Sequence, residues 1–128
     1  MNILAMTIDE IRETRINTEI LADAEDKEER AMGWYYYLDD CLNVPFMGKW
    51  KKKNRKTGVI EEKPVEVLGM SGEDDCLKDM YVDVAYLTGK EDDIHSAKLS
   101  EIETTDADEE TQEALADWQY WLSRGYKF

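Results

Sequence analysis

The chain has 128 residues, the size of one domain and too short for two independent cores. Thirty acidic residues against 16 basic ones leave a net charge of −14, a field that repels phosphate backbones and gathers cations, and that also serves plain solubility. Its 42% apolar residues, including 4 Trp, argue against a disordered acidic tail, while no apolar run nears the roughly 20 residues of a membrane span.

Residues 1–18 read as a mildly amphipathic start, a short helix or a docked arm. The opening Met1-Asn2-Ile3-Leu4-Ala5-Met6 has no basic flank and turns acidic at Asp9 and Glu10, so a secretory signal is not expected. Glu19-Ile20-Leu21-Ala22 reads as a brief extended segment. Asp26, with Glu29 three residues on, forms a capping box, and Ala31, Tyr35, Leu38 and Leu42 follow at helical spacing. That predicts a helix over about 26–42, closed by Pro45.

The period then changes. Phe46, Gly48 and Trp50 alternate with Met47, Lys49 and Lys51, which predicts a strand. The basic stretch Lys51-Lys52-Lys53-Asn54-Arg55-Lys56 with Thr57-Gly58 reads as a hairpin tip, its lysines protecting an edge or docking an acidic partner or nucleic acid. Further strands are predicted at Val65, Val67 and Gly69, at Met80, Val82, Val84 and Tyr86, and from Ile94 to Leu99. They are separated by a loop at 71–75 and a turn at 88–93. Thr105 and Asp108 read as the capping box of a last helix, over about 106–124, with Leu115, Trp118 and Leu122 as its stripe, Trp121 alongside, and Gly125 at its C′ position. Together these predict an α+β domain: a small SH3-like antiparallel barrel flanked by two helices.

Two cysteines, Cys41 and Cys76, without a CxxC pair, and the single His95 are too few for a structural zinc centre. Free thiols of this kind fit a reducing cytoplasm. Each cysteine follows an Asp-Asp pair, which raises a thiol's pKa and disfavours a reactive nucleophile. His95 has no Ser or Cys partner in its own segment, and no Gly-rich phosphate loop is present, so no enzyme is expected.

The carboxylates fall in clusters. Calcium takes six to eight oxygens, more than one segment supplies, so distant segments must converge on it. Two clusters stand out from a merely solvated surface. Asp39 and Asp40 lie at the end of the first predicted helix, where negative charge opposes the helix dipole and a cation would relieve it. Glu73, Asp74 and Asp75 crowd like charges into a Gly-containing loop. A run beginning at Asp106, with Asp108, Glu110 and Asp117 at positions 3, 5 and 12, echoes an EF-hand loop. It has Thr111 where that loop needs Gly, and it carries helical capping of its own, so it is read as a helix start.

Three separated blocks carry a resemblance. They are Ala31-Met32-Gly33-Trp34-Tyr35-Tyr36-Tyr37-Leu38-Asp39-Asp40 with Pro45-Phe46, Val67-Leu68-Gly69-Met70 before Glu73-Asp74-Asp75-Cys76, and Asp117-Trp118-Gln119-Tyr120-Trp121. In this order they resemble the small bacterial calcium-binding family typified by the cyanobacterial protein CcbP. The resemblance covers about residues 16–126 and leaves residues 1–15 as an N-terminal extension to a single domain over 16–128. It departs from the family at 88–99. It implies an acidic cytoplasmic protein that binds Ca2+ without EF-hands, as an intracellular buffer or sensor, with Asp39, Asp40, Glu73, Asp74 and Asp75 as ligands. Asp23, Asp26, Glu29 and the acids of the last helix are open as further ligands. The expected partners are calcium and a regulatory protein, with no nucleic acid and no membrane, for a monomer. The alternative is an acidic interaction module without metal.

Overall fold

Thr7 opens the first helix, α1 (Ile8–Arg15), through a reciprocal capping box: its side chain accepts from the Glu10 N–H while the Glu10 carboxylate accepts from the Thr7 N–H. The computed structural model describes residues 7–87, 93–104 and 106–128. Helical winding continues past α1 in a wider π-helical turn, Ile16–Ile20. The extended segment expected at Glu19–Ala22 is therefore not formed. Ile16 and Ile20 are four residues apart, so one helical face buries both.

Asp26 caps α2 (Lys27–Cys41) by accepting from the Glu29 N–H at 2.8 Å. The box is not reciprocal, because the Glu29 carboxylate reaches the Glu25 N–H at 2.7 Å instead. Gly33 on α2 is required by close approach: a Cβ there would lie 2.5 Å from the Ile20 carbonyl oxygen. The buried stripe of α2 is Ala31, Trp34 and Leu38, continued by Leu42 just past its end. Trp34 takes the place expected for Tyr35, which is only half-buried.

Five antiparallel strands follow: β1 (Phe46–Lys53), β2 (Ile60–Met70), β3 (Tyr81–Tyr86), β4 (Ile94–Lys98) and β5 (Ile102–Glu103). The first two extend further than predicted, so the hairpin tip shrinks to the residues between Lys53 and Ile60, with Gly58 at φ 75°. Leu99–Glu101 form a 3₁₀ turn between β4 and β5. The strand order is β4-β3-β2-β1-β5, so two strands joined by three residues lie at opposite edges. Lys98 and Ile102 can be at most about 14 Å apart along the chain, whereas the edges of a flat five-stranded sheet are about 19 Å apart. The sheet must curl.

The curl does not close. Among the described residues no ladder joins β4 to β5, so the sheet of this α+β domain is open and coiled and not the expected closed barrel. The two residues of β5 pair only with β1, and the 3₁₀ turn carries the chain across the gap instead of along it. The turn expected at 88–93 lies largely outside the described residues.

The last helix, α3 (Glu109–Ser123), is capped by Asp108 accepting from the Thr111 N–H at 2.9 Å. Asp108 is thus the N-cap itself and not the N3 partner of Thr105, which lies outside the described residues. Gly125 holds φ 78° just beyond the C-cap, the left-handed conformation that glycine adopts without strain. Between helices and sheet, Trp34 meets Trp118 edge-on at 5.0 Å and Trp121 at 5.5 Å, over Val65, Val67, Val82 and Val84 from the strands. Among the described residues the indole N–H groups of Trp34 and Trp118 have no hydrogen-bond partner, so their burial rests on aromatic packing.

Candidate metal centre

Trp34-Tyr35-Tyr36-Tyr37 on α2 is the local origin of the site. Successive helical residues point about 100° apart, so four aromatics in a row face four different surroundings. Trp34 enters the core. The Tyr35 hydroxyl donates to the Ser71 carbonyl at 2.8 Å, and the Tyr36 hydroxyl donates to Glu73 Oε1 at 2.5 Å. Tyr37 turns the other way and donates to Asp117 Oδ2 at 2.6 Å. Two tyrosines in succession thereby hold α2 against the segment after β2.

That segment is pinned at both ends. The Ser71 N–H donates to the Tyr81 carbonyl at 2.9 Å, and its hydroxyl donates to Asp83 Oδ1 at 2.8 Å. Glu73–Cys76 wind into a 3₁₀ turn, and the fully buried Cys76 sulfur accepts from the Tyr81 N–H at 3.4 Å. The predicted loop acids therefore sit on an ordered turn. Glu73 reaches α2, while Asp74 and Asp75 are exposed. One Asp75 oxygen folds back to 3.3 Å from where a Cβ on Gly72 would stand.

Asp39 and Asp40 are exposed in the last turn of α2, which holds no basic residue. The Leu42 N–H returns to the Leu38 carbonyl, closing the helix just beyond them. Burial raises the Tyr35 pKa, and the charge of Asp39 raises it further, followed by Cys76 and Glu73. Asp39 and Glu73 thus act on one hydroxyl from two segments. The Tyr36 pKa is raised first by its hydrogen bond to Glu73. Asp40 acts instead on Cys41, whose pKa is raised by burial, then by Glu110, then by Asp40. Burial also leads for Cys76, opposed by its hydrogen bond with Tyr81 and supplemented by Asp75, so at both thiols the adjacent acids only add to burial.

Of the five predicted ligands, one is tied by a hydrogen bond to the other acidic segment. Glu73 is tied to α2 through Tyr36, while no hydrogen bond among the described residues links Asp39, Asp40, Asp74 or Asp75 to it. Among the described residues no three Asp, Glu, His or Cys side chains converge as a ready-made cage. The donor set is nonetheless made of hard oxygen, with exposed carboxylates beside the last carbonyls of a helix, which suits a large divalent cation better than a thiophilic one.

Several of the other acids open as ligands are engaged elsewhere. Asp117 is fully buried and accepts from Arg12 and Arg15 of α1 at 2.8 and 2.7 Å, and from Tyr37. Glu113 pairs with the same two arginines. Asn43 donates to Asp108 at 2.7 Å and to Glu110 at 2.9 Å. Asp26 and Glu29 are spent on capping α2, and Asp23 is exposed. Sequence reading missed the hydroxyl ties of Tyr35 and Tyr36, although the four-aromatic run held the signal.

A calcium-binding family model, that of CcbP, matches residues 14–122. The fold is similar to that of a calcium-binding protein solved in its calcium-binding form, at 69% identity over 96% of this chain and 100% of that one, with a TM-score of 0.87. It is also similar to the crystal structure of Anabaena CcbP, at 68% identity over 97% of this chain and 98% of that one, with a TM-score of 0.88. No curated protein matches the chain.

Proposed function

The chain belongs to the CcbP family of calcium-binding proteins, and on that premise we propose that its calcium site lies between the last turn of α2 and the 3₁₀ turn at Glu73–Cys76. The observation that carries this reading is the pair of hydroxyl bonds, Tyr35 to the Ser71 carbonyl and Tyr36 to Glu73, which fasten the two acidic segments to each other. Asp39 and Glu73 are the leading ligands, with Asp40, Asp74 and Asp75 completing the carboxylate set. Water and helix-end carbonyls fill the remaining positions of the six to eight that calcium takes. Calcium supplies positive charge where the helix dipole and the two carboxylate groups are all negative.

The site is not of the EF-hand kind. The run from Asp106 to Asp117 passes into the first turns of α3, and Asp117 is consumed by its arginines. Exposed ligands on two separate segments bind less tightly than a rigid cage, which favours a buffering role without catalysis. Two free thiols, one of them fully buried, accord with a cytoplasmic location. The strand order with its 3₁₀ link between β4 and β5 supports an SH3-like description of the scaffold.

Calorimetric titration with calcium tests the assignment. The wild-type chain is expected to bind calcium in preference to magnesium, which demands closer octahedral order and dehydrates reluctantly. Asp39→Asn with Glu73→Gln should abolish the principal binding heat. Retention of that heat places the site elsewhere.

A further inference from the structure

Six of the 16 cationic residues fall within 49–56, on the hairpin that projects from this acidic body. The strand register puts Trp50, Lys52, Lys63, Tyr86 and His95 on one face of the sheet, at the mouth of its curl. Trp50 and Tyr86 lie nearly parallel at 6.0 Å, and the His95 ring is 4.8 Å from Tyr86. A groove of about 680 Å³ runs from the hairpin tip, at Lys53 and Arg55, to the edge strand β4, at His95 and Lys98. Lys63 and Tyr86 line an adjoining recess of about 170 Å³. Among the described residues the salt bridges of this region take up Lys51, with Glu62 and Glu103, and leave Lys52, Lys53, Arg55 and Lys63 without an ion-pair partner.

We propose that this groove is a docking surface for an extended acidic segment of a partner protein, lying along β4 with its carboxylates on the rim of lysines. Charge complementarity carries the assignment: the groove gathers Lys52, Lys53, Arg55 and Lys98 against one carboxylate, Glu101, on a molecule of net charge −14. Among the described residues the outer edge of β4 has no strand beside it, and it offers main-chain groups to an added segment. The aromatic floor does not suit nucleobases. Lys52 Nζ lies over the Trp50 ring at 5.3 Å and Lys63 Nζ over Tyr86 at 5.7 Å, so a stacking base would have to displace an ammonium group. A carboxylate meets the same ammonium groups where they stand. A single strand would also carry its charge along the whole acidic body.

Fluorescence anisotropy with a labelled oligoglutamate peptide tests this, in EDTA so that the calcium site plays no part. A Gly-Ser peptide and an oligothymidylate of equal length serve as comparators. The oligoglutamate is expected to bind at low salt, the Gly-Ser peptide not at all, and the oligothymidylate more weakly. Lys52→Glu with Lys63→Glu and Lys98→Glu should weaken oligoglutamate binding by at least about tenfold. Lys27→Glu with Lys127→Glu, away from the groove, should not. Arg55→Glu, at the exposed hairpin tip, gives the same reading without touching the aromatic floor. Absence of oligoglutamate binding, or equal weakening by the two lysine variants, overturns the proposal. Tighter binding of the oligothymidylate assigns the groove to nucleic acid instead.

Discussion

The Tyr36 hydroxyl and Glu73 Oε1 meet at 2.5 Å across 37 residues of sequence, and both residues are exposed. A surface hydrogen bond of this kind adds little to folding, but it fixes the direction of a carboxylate that would hold a cation. Tyr36→Phe is therefore expected to change unfolding free energy by less than about 1 kcal/mol. It should weaken calcium binding by up to about tenfold, the effect of removing a partner that orients a metal ligand. Calorimetry alongside urea unfolding separates the two. An unchanged affinity would remove Glu73 from the ligand set.

Asp117 gives the opposite case, a carboxylate whose surroundings are structural. Its side chain is fully buried, and the guanidinium groups of Arg12 and Arg15 that neutralise it come from α1. Burial disfavours the Arg15 cation, yet its bonds to Asp117 outweigh that and raise its pKa. A chain lacking residues 1–15 leaves Asp117 buried with Tyr37 alone. It is expected to lose about 3 kcal/mol, the scale for stranding one partner of a buried pair. Asp117→Asn in the shortened chain should recover part of that loss, whereas in the full chain it should destabilise. Urea midpoints of the four chains decide it. Equal stability of the full and shortened chains would mean that α1 adds nothing to the core.

This pairing also shows where sequence reading reached its limit. Helices α2 and α3 were legible because their stripes repeat at 3.6 residues and Asp26 and Gly125 mark an end of each. Strands β1 and β3 were legible from their alternation, although β1 runs on through Lys51-Lys52-Lys53, whose composition resembles a turn. The partner β2 supplies cross-strand acids there, Glu61 and Glu62, and a local reading does not see them. The closing turn of the sheet was invisible because β5 is only two residues long. For the proposed site, the acids at 39–40 and 73–75 stand out in the sequence as charge out of place. Their attachment was not legible, since it depends on which way Tyr35 and Tyr36 point. Asp117 looked like a surface acid at position 12 of a calcium loop. Its burial follows from two arginines about a hundred residues away, outside the reach of any local pattern.

Alkaline stability follows from the tyrosines. The Tyr120 hydroxyl donates to Glu13 Oε2 at 2.6 Å, and that bond leads in pushing its pKa up to about 12. Tyr37 is raised further still, by burial and then by Asp117. Unfolded tyrosine ionises near pH 10, so the unfolded chain gives up protons that the folded chain still holds. The stability from both groups is whole below about pH 10 and is lost as pH rises through the folded values. The phenolate absorbance of Tyr37 and Tyr120 should therefore rise in one cooperative step, together with loss of helical circular dichroism. Tyr120→Phe should flatten the decline. Ionisation of Tyr37 and Tyr120 near pH 10, with helicity intact, would refute this account.

Calcium itself should act on folding through mass action. At a hundredfold excess over its dissociation constant it adds about 2.7 kcal/mol, which for a domain of this size is a rise in Tm of roughly 10 °C. EDTA should reverse the rise in full. Two electrostatic sources feed the affinity, the local carboxylates and the field of the whole −14 body, and salt tells them apart. The screening length shrinks from about 30 Å at 0.01 M to about 8 Å at 0.15 M, so the distant field fades while ligands in direct contact persist. Glu61→Gln with Glu62→Gln removes two charges from the hairpin end of β2, the end away from Glu73. That variant should lower the calcium-induced rise at low salt and match the wild type at 0.15 M, judged against the ~8 Å screening length there. Asp39→Asn with Glu73→Gln removes the same charge and should abolish the rise at both ionic strengths. If the two variants behave alike, calcium is held by the field alone, and the convergence of α2 with the 3₁₀ turn is not a binding site.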